Sequence, residues 1–356
     1  MINNSPKIAI FFDWINQWGG AEKVLLNLIK LYPDAPVYTL VHDPVLSSWI
    51  PVGTKIITSF INKLPFSKHN PIFYTALYDI ALEQFDFSDY DIVISTTSVI
   101  GHSLLTRPST LFVCYFHNIN RHLYEHPILR FYQKIDYIHS RRPDYLICNS
   151  KTVANRIQSI YHLTPQIINP GIDTDLFIPS DNHKKYFLIV SRLVPHKKLD
   201  IVIKVFKKNK LPLVVVGKGR QEAHLRHLAE NCKNISFVTN ASNEDVLNYY
   251  QNCIALICPQ LEDFGLTAIE AQSCGKPVIA YGRGGNTETI ISGKTGTFFY
   301  HQTAKSLSKA IIKFQNTNYK EVDCRQNALR FSDKSFMLNF KQSIDRLWKK
   351  HQTITF

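Results

Sequence analysis

The sequence holds no apolar run approaching the roughly 18 residues that a bilayer-spanning helix needs, which excludes that class of membrane protein. It also holds no repeated low-complexity tract, and with a hydrophobic share of 45% it reads as a folded, globular chain. Its seven cysteines are odd in number and contain no Cys-x-x-Cys pair. Cys114, Cys148 and Cys258 fall inside predicted strands, the usage of buried, reduced thiols and not of a disulfide frame or a zinc site. Cys253 and Cys258 are close in sequence but lack the matching His/Cys pair that a metal would require. The residues Met1 to Ser5 lack the charged-then-apolar signature of a secretion signal, so a cytoplasmic location is expected. There is no helix-turn-helix, zinc-finger or RNP-like pattern, which argues against nucleic acid as a partner.

What the chain has in excess is positive charge, +13 in total, and it is unevenly placed. Residues 1–178 hold 14 Lys+Arg against 14 Asp+Glu, while residues 179–356 hold 27 against 14, and 27 − 14 is the whole +13. A basic second half suits an anionic small ligand, and equally an anionic surface. Many of its lysines, Lys204, Lys207 and Lys208 among them, read as a solvated helix face. At 356 residues the chain is long enough for two separately cored domains.

The first half alternates strands and helices. Lys7–Phe12 is an apolar strand running into Gly19 and Gly20, after which Val24, Leu25, Leu28 and Ile29 repeat at helical spacing. Two glycines at a strand-to-helix turn let the backbone approach a ligand closely, although a tight turn alone would use them too. Further strands are expected at Val37–Val41, Lys55–Ser59, Asp91–Thr96, Thr110–Phe116 and Tyr145–Asn149. His117 ends one of them at its carboxyl edge, either as a structural histidine or as part of a site. The segment Phe60–Tyr74 mixes large apolar residues with Lys63, Lys68 and His69, which fits a membrane-surface contact or a partly exposed cover for the core. The polar stretch Pro179 to Lys185 marks the expected domain boundary, after residue 178.

The second half winds afresh, with strands expected at Tyr186–Ser191, Leu213–Val216, Ile235–Val238, Ile254–Cys258 and Pro277–Tyr281. Gly217-Lys-Gly219 follows a strand, but Glu222 stands where a dinucleotide fingerprint needs its third glycine. A late amphipathic helix near Phe336–Lys349 places Phe336, Phe340, Ile344 and Leu347 on one face, as core packing requires.

The most informative stretch runs from Ile254 to Ala280. A buried strand leads into a polar loop with Glu262, then a short helix from about Gly265 to Cys274 carrying Glu270. In a β-loop-α unit that loop lies at the carboxyl edge of a parallel sheet, where ligands bind. The helix start offers amides from Gly265, Leu266 and Thr267 to a phosphate. Two carboxylates beside a phosphate seat would repel it unless each accepts hydrogen bonds from hydroxyls, so the combination suggests a sugar nucleotide. Arg192 and Lys197 flank the loop after the domain's first strand, on the same edge, and can donate charge-assisted bonds to a diphosphate. Tyr281–Glu288 is a further glycine-rich turn on that edge.

Together these residues resemble the family-4 retaining glycosyltransferases of the GT-B fold, an α/β class with two Rossmann-like doubly wound domains facing a cleft. The resemblance covers nearly the whole chain and is strongest from Ser191 to Phe299. It rests on Glu262-x7-Glu270 in the setting Glu-Asp-Phe-Gly-Leu-Thr, on Ser-Arg192-Leu-x3-Lys197, on Gly19-Gly-Ala-Glu22 and on Asn169-Pro-Gly-Ile-Asp173. It implies an acceptor-side domain over 1–178, a donor domain over 179–335 and a final helix near 336–356 packed back on the first. It also implies that Glu262 faces donor-sugar hydroxyls, Glu270 the ribose, and Arg192 and Lys197 the diphosphate. His117 would reach the donor sugar, and Gly19, Gly20, Asp263, Phe264, Gly265, Leu266 and Thr267 would complete the donor seat. Lys198 departs from the glycine usual after the loop lysine, which puts the turn there in question.

Within the family, Arg192–Asp200 and Pro277–Gly285 look most like O-antigen-type mannosyltransferases. Such enzymes move mannose from GDP-mannose to a lipid-linked oligosaccharide at the cytoplasmic membrane face, in lipopolysaccharide or capsule-type polysaccharide synthesis. A UDP- or ADP-sugar donor, a GT-B sugar-nucleotide epimerase and a non-catalytic anion-binding protein are the alternatives. No metal or other cofactor is expected, since two cations and a helix start neutralise the diphosphate. The Asp-x-Asp string Asp173-Thr-Asp175 lies in the interdomain segment.

Overall fold

Two all-parallel sheets organise the chain, one in each of two units, in a computed structural model that describes residues 6–125, 129–180 and 185–354. Met1–Gly171 with Lys334–Phe356 forms the first unit and Ile172–Asp333 the second. The first sheet contains β1 (Ile8–Ile15), β2 (Val37–His42), β3 (Ile56–Thr58), β4 (Ile92–Thr97), β5 (Leu111–Phe116), β6 (Tyr145–Cys148) and β7 (Gln166–Ile167), in the spatial order β3-β2-β1-β4-β5-β6-β7.

Every residue of β4 and β5 is buried, as expected where helices cover both faces of a parallel sheet. Side chains alternate between those faces. Phe11, Phe112 and Phe116 enter one core with Tyr78 and Phe85, while Ile10, Phe12, Val113 and Tyr115 enter another with Leu25 and Leu28. The last helix, which begins at Asp333, lays Phe336, Phe340, Ile344 and Leu347 into that second core. Each such side chain contributes about 1.5–3 kcal/mol by leaving water.

The order of strands reverses between β1 and β4, and Asp13 closes the sheet there. Its Oδ1 accepts from the Thr97 hydroxyl and the Ile100 and Gly101 amides, and its Oδ2 from the Ser98 and Val99 amides, at 2.7–3.1 Å. Burial lifts its carboxyl above the ordinary value in spite of those donors.

The second sheet contains β8 (Phe187–Val190), β9 (Leu213–Val216), β10 (Ile235–Val238), β11 (Ala255–Cys258), β12 (Val278–Tyr281) and β13 (Gly296–Phe299), ordered β10-β9-β8-β11-β12-β13. Its reversal falls between β8 and β11. Ligands of such sheets bind beyond the carboxyl ends of the two strands at the reversal.

The units divide at Gly171, ahead of the expected boundary after residue 178. The reason is hydrogen bonding across long sequence separation. Ile172 donates to the Phe331 carbonyl and accepts from the Asp333 amide, both at 2.9 Å. The Arg325 guanidinium donates to the carbonyls of Thr174, Phe177 and Ser273, which ties residues 172–177 to the second unit. Of the polar stretch expected as the boundary, residues 181–184 lie outside the described residues, as do Met1–Ser5.

Two short strands, β7 and β13, go beyond the sequence expectation. Both are too brief to show a period, and β7 is exposed at the sheet edge. The segment Phe60–Tyr74 carries 3-10 turns at Phe60–Lys63 and Pro71–Leu77, with Phe66 76% and Phe73 71% exposed. Among the described residues no helix is long and apolar enough to cross a membrane.

Candidate functional site

The loops after β8 and β11 bring Arg192, Lys197 and Glu262 to the strand-order reversal of the second sheet. Lys197 ends a 3-10 turn at Pro195–Lys197, and its Nζ lies 2.7 Å from Glu262 Oε1, the two side chains 15% and 19% exposed. The family resemblance assigns these residues to different parts of a ligand, and the structure pairs them directly. A lysine ammonium has three donors, so the bond to Glu262 leaves it able to serve a phosphate oxygen as well. Arg192 is exposed, and its guanidinium bonds to no described residue.

Lys198 resolves the question its side chain raised. Its backbone has φ +54° and ψ +33°, the left-handed conformation in which glycine is most at ease. The turn is therefore retained, at a cost of about 1–2 kcal/mol relative to a right-handed residue. The side chain itself points to solvent.

Gly217 and Gly219 hold this loop from behind. The Leu193 amide donates to the Lys218 carbonyl at 3.0 Å, and the Gln221 amide donates to the Leu193 carbonyl at 2.9 Å. Gly217 has φ +140°, and a Cβ there would collide with the Ser191 carbonyl oxygen. The pair that reads in sequence as a broken dinucleotide fingerprint is the backstop of the Arg192 loop.

Across the reversal, Gly265 (φ +101°) turns the chain into the helix Leu266–Ser273. Its first turn leaves the Leu266 and Thr267 amides without intrahelical acceptors, a seat for phosphate. Phe264 is buried edge-to-face on Phe331, with ring centroids 5.6 Å apart, and Asp263 is half-buried beside it. The Gly285 amide donates to the Glu262 carbonyl at 2.8 Å, so the glycine-rich turn after β12 braces the Glu262 loop. Glu270, on the helix interior, is 5% exposed and accepts at Oε2 from the Tyr250 hydroxyl at 2.7 Å.

Two residues that the sequence did not single out complete the arrangement. The Gln260 amide nitrogen donates to Glu262 Oε1, and Asn286 Nδ2 donates to the Gln260 and Tyr281 carbonyls at 3.2 Å. Both are almost wholly buried, and Gln260 Oε1 and Asn286 Oδ1 have no hydrogen-bond donor among the described residues. Their one sequence signal is proximity, two residues before Glu262 and one after the paired glycines.

Gly19, Gly20 and His117 belong to the first unit, at the carboxyl edge of its own sheet. Gly20 opens the helix Gly20–Leu31, and Gly19 is extended, with the buried Glu22 carboxylate against it. His117 Nε2 shares a 2.6 Å hydrogen bond with the Thr96 hydroxyl. Burial lowers its pKa to about 3, so the ring is neutral near pH 7 and does not act there as an imidazolium acid.

The seven cysteines are free, and burial pushes the thiols of Cys258, Cys274 and Cys324 up to about 12, which makes them poor nucleophiles. Among the described residues no three His, Cys, Asp or Glu side chains are grouped to hold a metal ion.

Comparison with known proteins gives two family matches, "Glycosyltransferase Family 4" over residues 18–176 and "Glycosyl transferases group 1" over residues 175–331. The chain is 26% identical to the alpha-1,3/1,6-mannosyltransferase ALG2 of Dictyostelium discoideum, over 93% of this chain and 95% of that protein. It is also 26% identical to an uncharacterized glycosyltransferase of Methanocaldococcus jannaschii, where the match covers 54% of this chain and 55% of the relative, about half the length of each. Among solved structures, Anabaena HepE in complex with UDP and glucose superposes with a TM-score of 0.75 at 19% identity, over 96% of this chain and 100% of that one.

Proposed function

This chain is a GT-B glycosyltransferase of the family-4 type, and from that premise we propose that it moves mannose from GDP-mannose to a lipid-linked glycan, with retention of configuration. The observation that carries the reading is the Lys197–Glu262 pair, set at the strand-order reversal beside the helix start at Gly265. Arg192, Lys197 and the Leu266 and Thr267 amides seat the diphosphate. Glu262 takes hydroxyls of the sugar, and Glu270 takes those of the ribose. As the bond from the anomeric carbon to the diphosphate breaks, negative charge grows on the leaving oxygen. The two cations and the helix start are already in place to stabilise that charge. The acceptor oxygen then forms the new bond on the face the diphosphate leaves, and its proton passes to the departing phosphate. Likeness to a mannosyltransferase along nearly the whole chain supports mannose as the sugar.

A thermal-shift screen against GDP-, UDP- and ADP-sugars, run in EDTA, tests donor and metal independence together. Ligand at 100 times its dissociation constant stabilises by roughly 2.7 kcal/mol, a clear rise in Tm. GDP-mannose is expected to give the largest rise. A larger response to a UDP-sugar would replace the base assignment, and binding only after divalent metal is restored would overturn metal independence.

The same reading supports a membrane-surface acceptor, because the first unit exposes Phe66 and Phe73 beside Lys63 and Lys68. The chain is expected to sediment with vesicles rich in anionic lipid, and the double variant Phe66→Ser/Phe73→Ser to lose most of that binding. Wild-type protein left in the supernatant at low salt would remove the membrane from the scheme.

A further inference from the structure

We infer that Tyr250 is a positioning residue that aims the Glu270 carboxylate and thereby sets the selectivity of the donor seat for ribonucleotides over deoxyribonucleotides. The inference rests on the reading that Glu270 meets the ribose, and adds to it the residue that makes Glu270 fit for the task. Tyr250 lies on the helix Asn243–Asn252, 20 positions before Glu270, and its hydroxyl donates to Glu270 Oε2 at 2.7 Å. Both side chains are buried, at 0% and 5% exposure. The Tyr250 ring is held edge-to-face by Phe177, with centroids 5.8 Å apart, so the hydroxyl has little freedom to point elsewhere.

The chemistry runs in one direction only. Burial, and then the Glu270 charge, push the Tyr250 phenol well above its ordinary pKa, so it stays protonated and acts as the donor. A carboxylate offers about four acceptor sites over two oxygens. With the Tyr250 hydroxyl fixed on Oε2, the carboxylate plane has a set orientation in which to accept from sugar hydroxyls. An ionised carboxylate is acceptor-only, so it rewards a ribose hydroxyl and gains nothing from a deoxy carbon. The absence of a partner hydroxyl is what a polar site penalises most strongly.

Tyr250→Phe keeps the ring and its packing and removes only the donor. Dissociation constants for GDP, 2′-deoxy-GDP and 3′-deoxy-GDP, with the UDP series in parallel, are to be measured on wild type, Tyr250→Phe and Glu270→Gln. Tyr250→Phe is expected to weaken ribonucleotide binding roughly 10- to 100-fold. It should weaken deoxynucleotide binding much less, so that the ribo/deoxy ratio collapses, and in turnover the donor KM should rise more than kcat falls. A purely packing role would weaken both nucleotides alike and leave the ratio intact, and that result overturns the inference. The two levels of the argument separate cleanly. If Glu270→Gln leaves the ratio at its wild-type value, the ribose reading of Glu270 fails. If Glu270→Gln collapses the ratio and Tyr250→Phe does not, the ribose reading survives and the role of Tyr250 fails. Phe177→Leu supplies a second test, since it keeps the hydroxyl but frees the ring. It should reduce the ratio partially, and an unchanged ratio would show that the ring needs no support.

Discussion

Lys197→Ala is expected to lower kcat/KM by roughly 10- to 1,000-fold, the range for losing one preorganised charge at a site where negative charge develops. The structure gives the loss two components. The first is the cation itself, no longer available to the diphosphate. The second is Glu262, which in the wild type has the Lys197 ammonium 2.7 Å away and in the variant keeps only uncharged donors such as the Gln260 amide. An unneutralised carboxylate beside a diphosphate repels it, so donor KM should rise along with the fall in kcat. The pairing makes a further prediction possible. If Lys197 and Glu262 acted independently, the effects of Lys197→Ala and Glu262→Gln would add in the double variant. Residues in direct contact instead show coupling of about 0.5–3 kcal/mol. Removing both should therefore cost less than the sum, because the double variant leaves no stranded charge. Near-normal transfer by Lys197→Ala would remove the diphosphate role, and strict additivity would show that Lys197 and Glu262 act independently in transfer.

Gly217→Ala is expected to be the most destabilising single methyl that can be added to the second unit. Two penalties combine there. With φ at +140°, the residue sits in backbone space that side chains other than glycine's rarely enter. The new Cβ would also strike the Ser191 carbonyl oxygen, a backbone atom with no rotamer to escape into. The loss should exceed about 3 kcal/mol, in the tail of point-mutation effects, and is read as a fall in the urea midpoint. Gly53→Ala is the matched comparison. Gly53 also has positive φ, at +93°, but nothing lies within 4 Å of its absent Cβ, so only the backbone penalty applies. A cost of about 1–2 kcal/mol is expected there. Equal destabilisation by the two substitutions would refute the clash. If Gly217→Ala folds by displacing the Ser191–Leu193 backbone, Arg192 moves with it, and donor KM should rise even where stability partly recovers.

Much of this was legible before any coordinates. Apolar runs bounded by turn residues mark buried strands, and β9 and β10 follow the expected limits, Leu213–Val216 and Ile235–Val238. The loops carrying Arg192, Lys197 and Glu262 were expected on one edge, and the topology puts them there because a parallel βαβ wind sends every such loop to the carboxyl side. The start of the helix after Glu262 was placed within one residue, since Gly265 and the following apolar periodicity are both local signals.

Periodicity and turn chemistry act within a few residues of each other, so the sequence by itself determined the α/β class, the winding of both sheets and the edge on which the candidate donor seat lies. It did not determine which side chains on that edge meet. The bond from Lys197 to Glu262 spans 65 positions, and that from Tyr250 to Glu270 spans 20. Gly217 answers to Ser191, on the neighbouring strand's loop, and Ile172 to Phe331, across most of a unit. Such pairs leave no period in the chain. They exist only once strand order has folded distant loops side by side, and there distance and burial decide which charge is neutralised, which backbone can carry a side chain, and which hydroxyl holds a carboxylate in place.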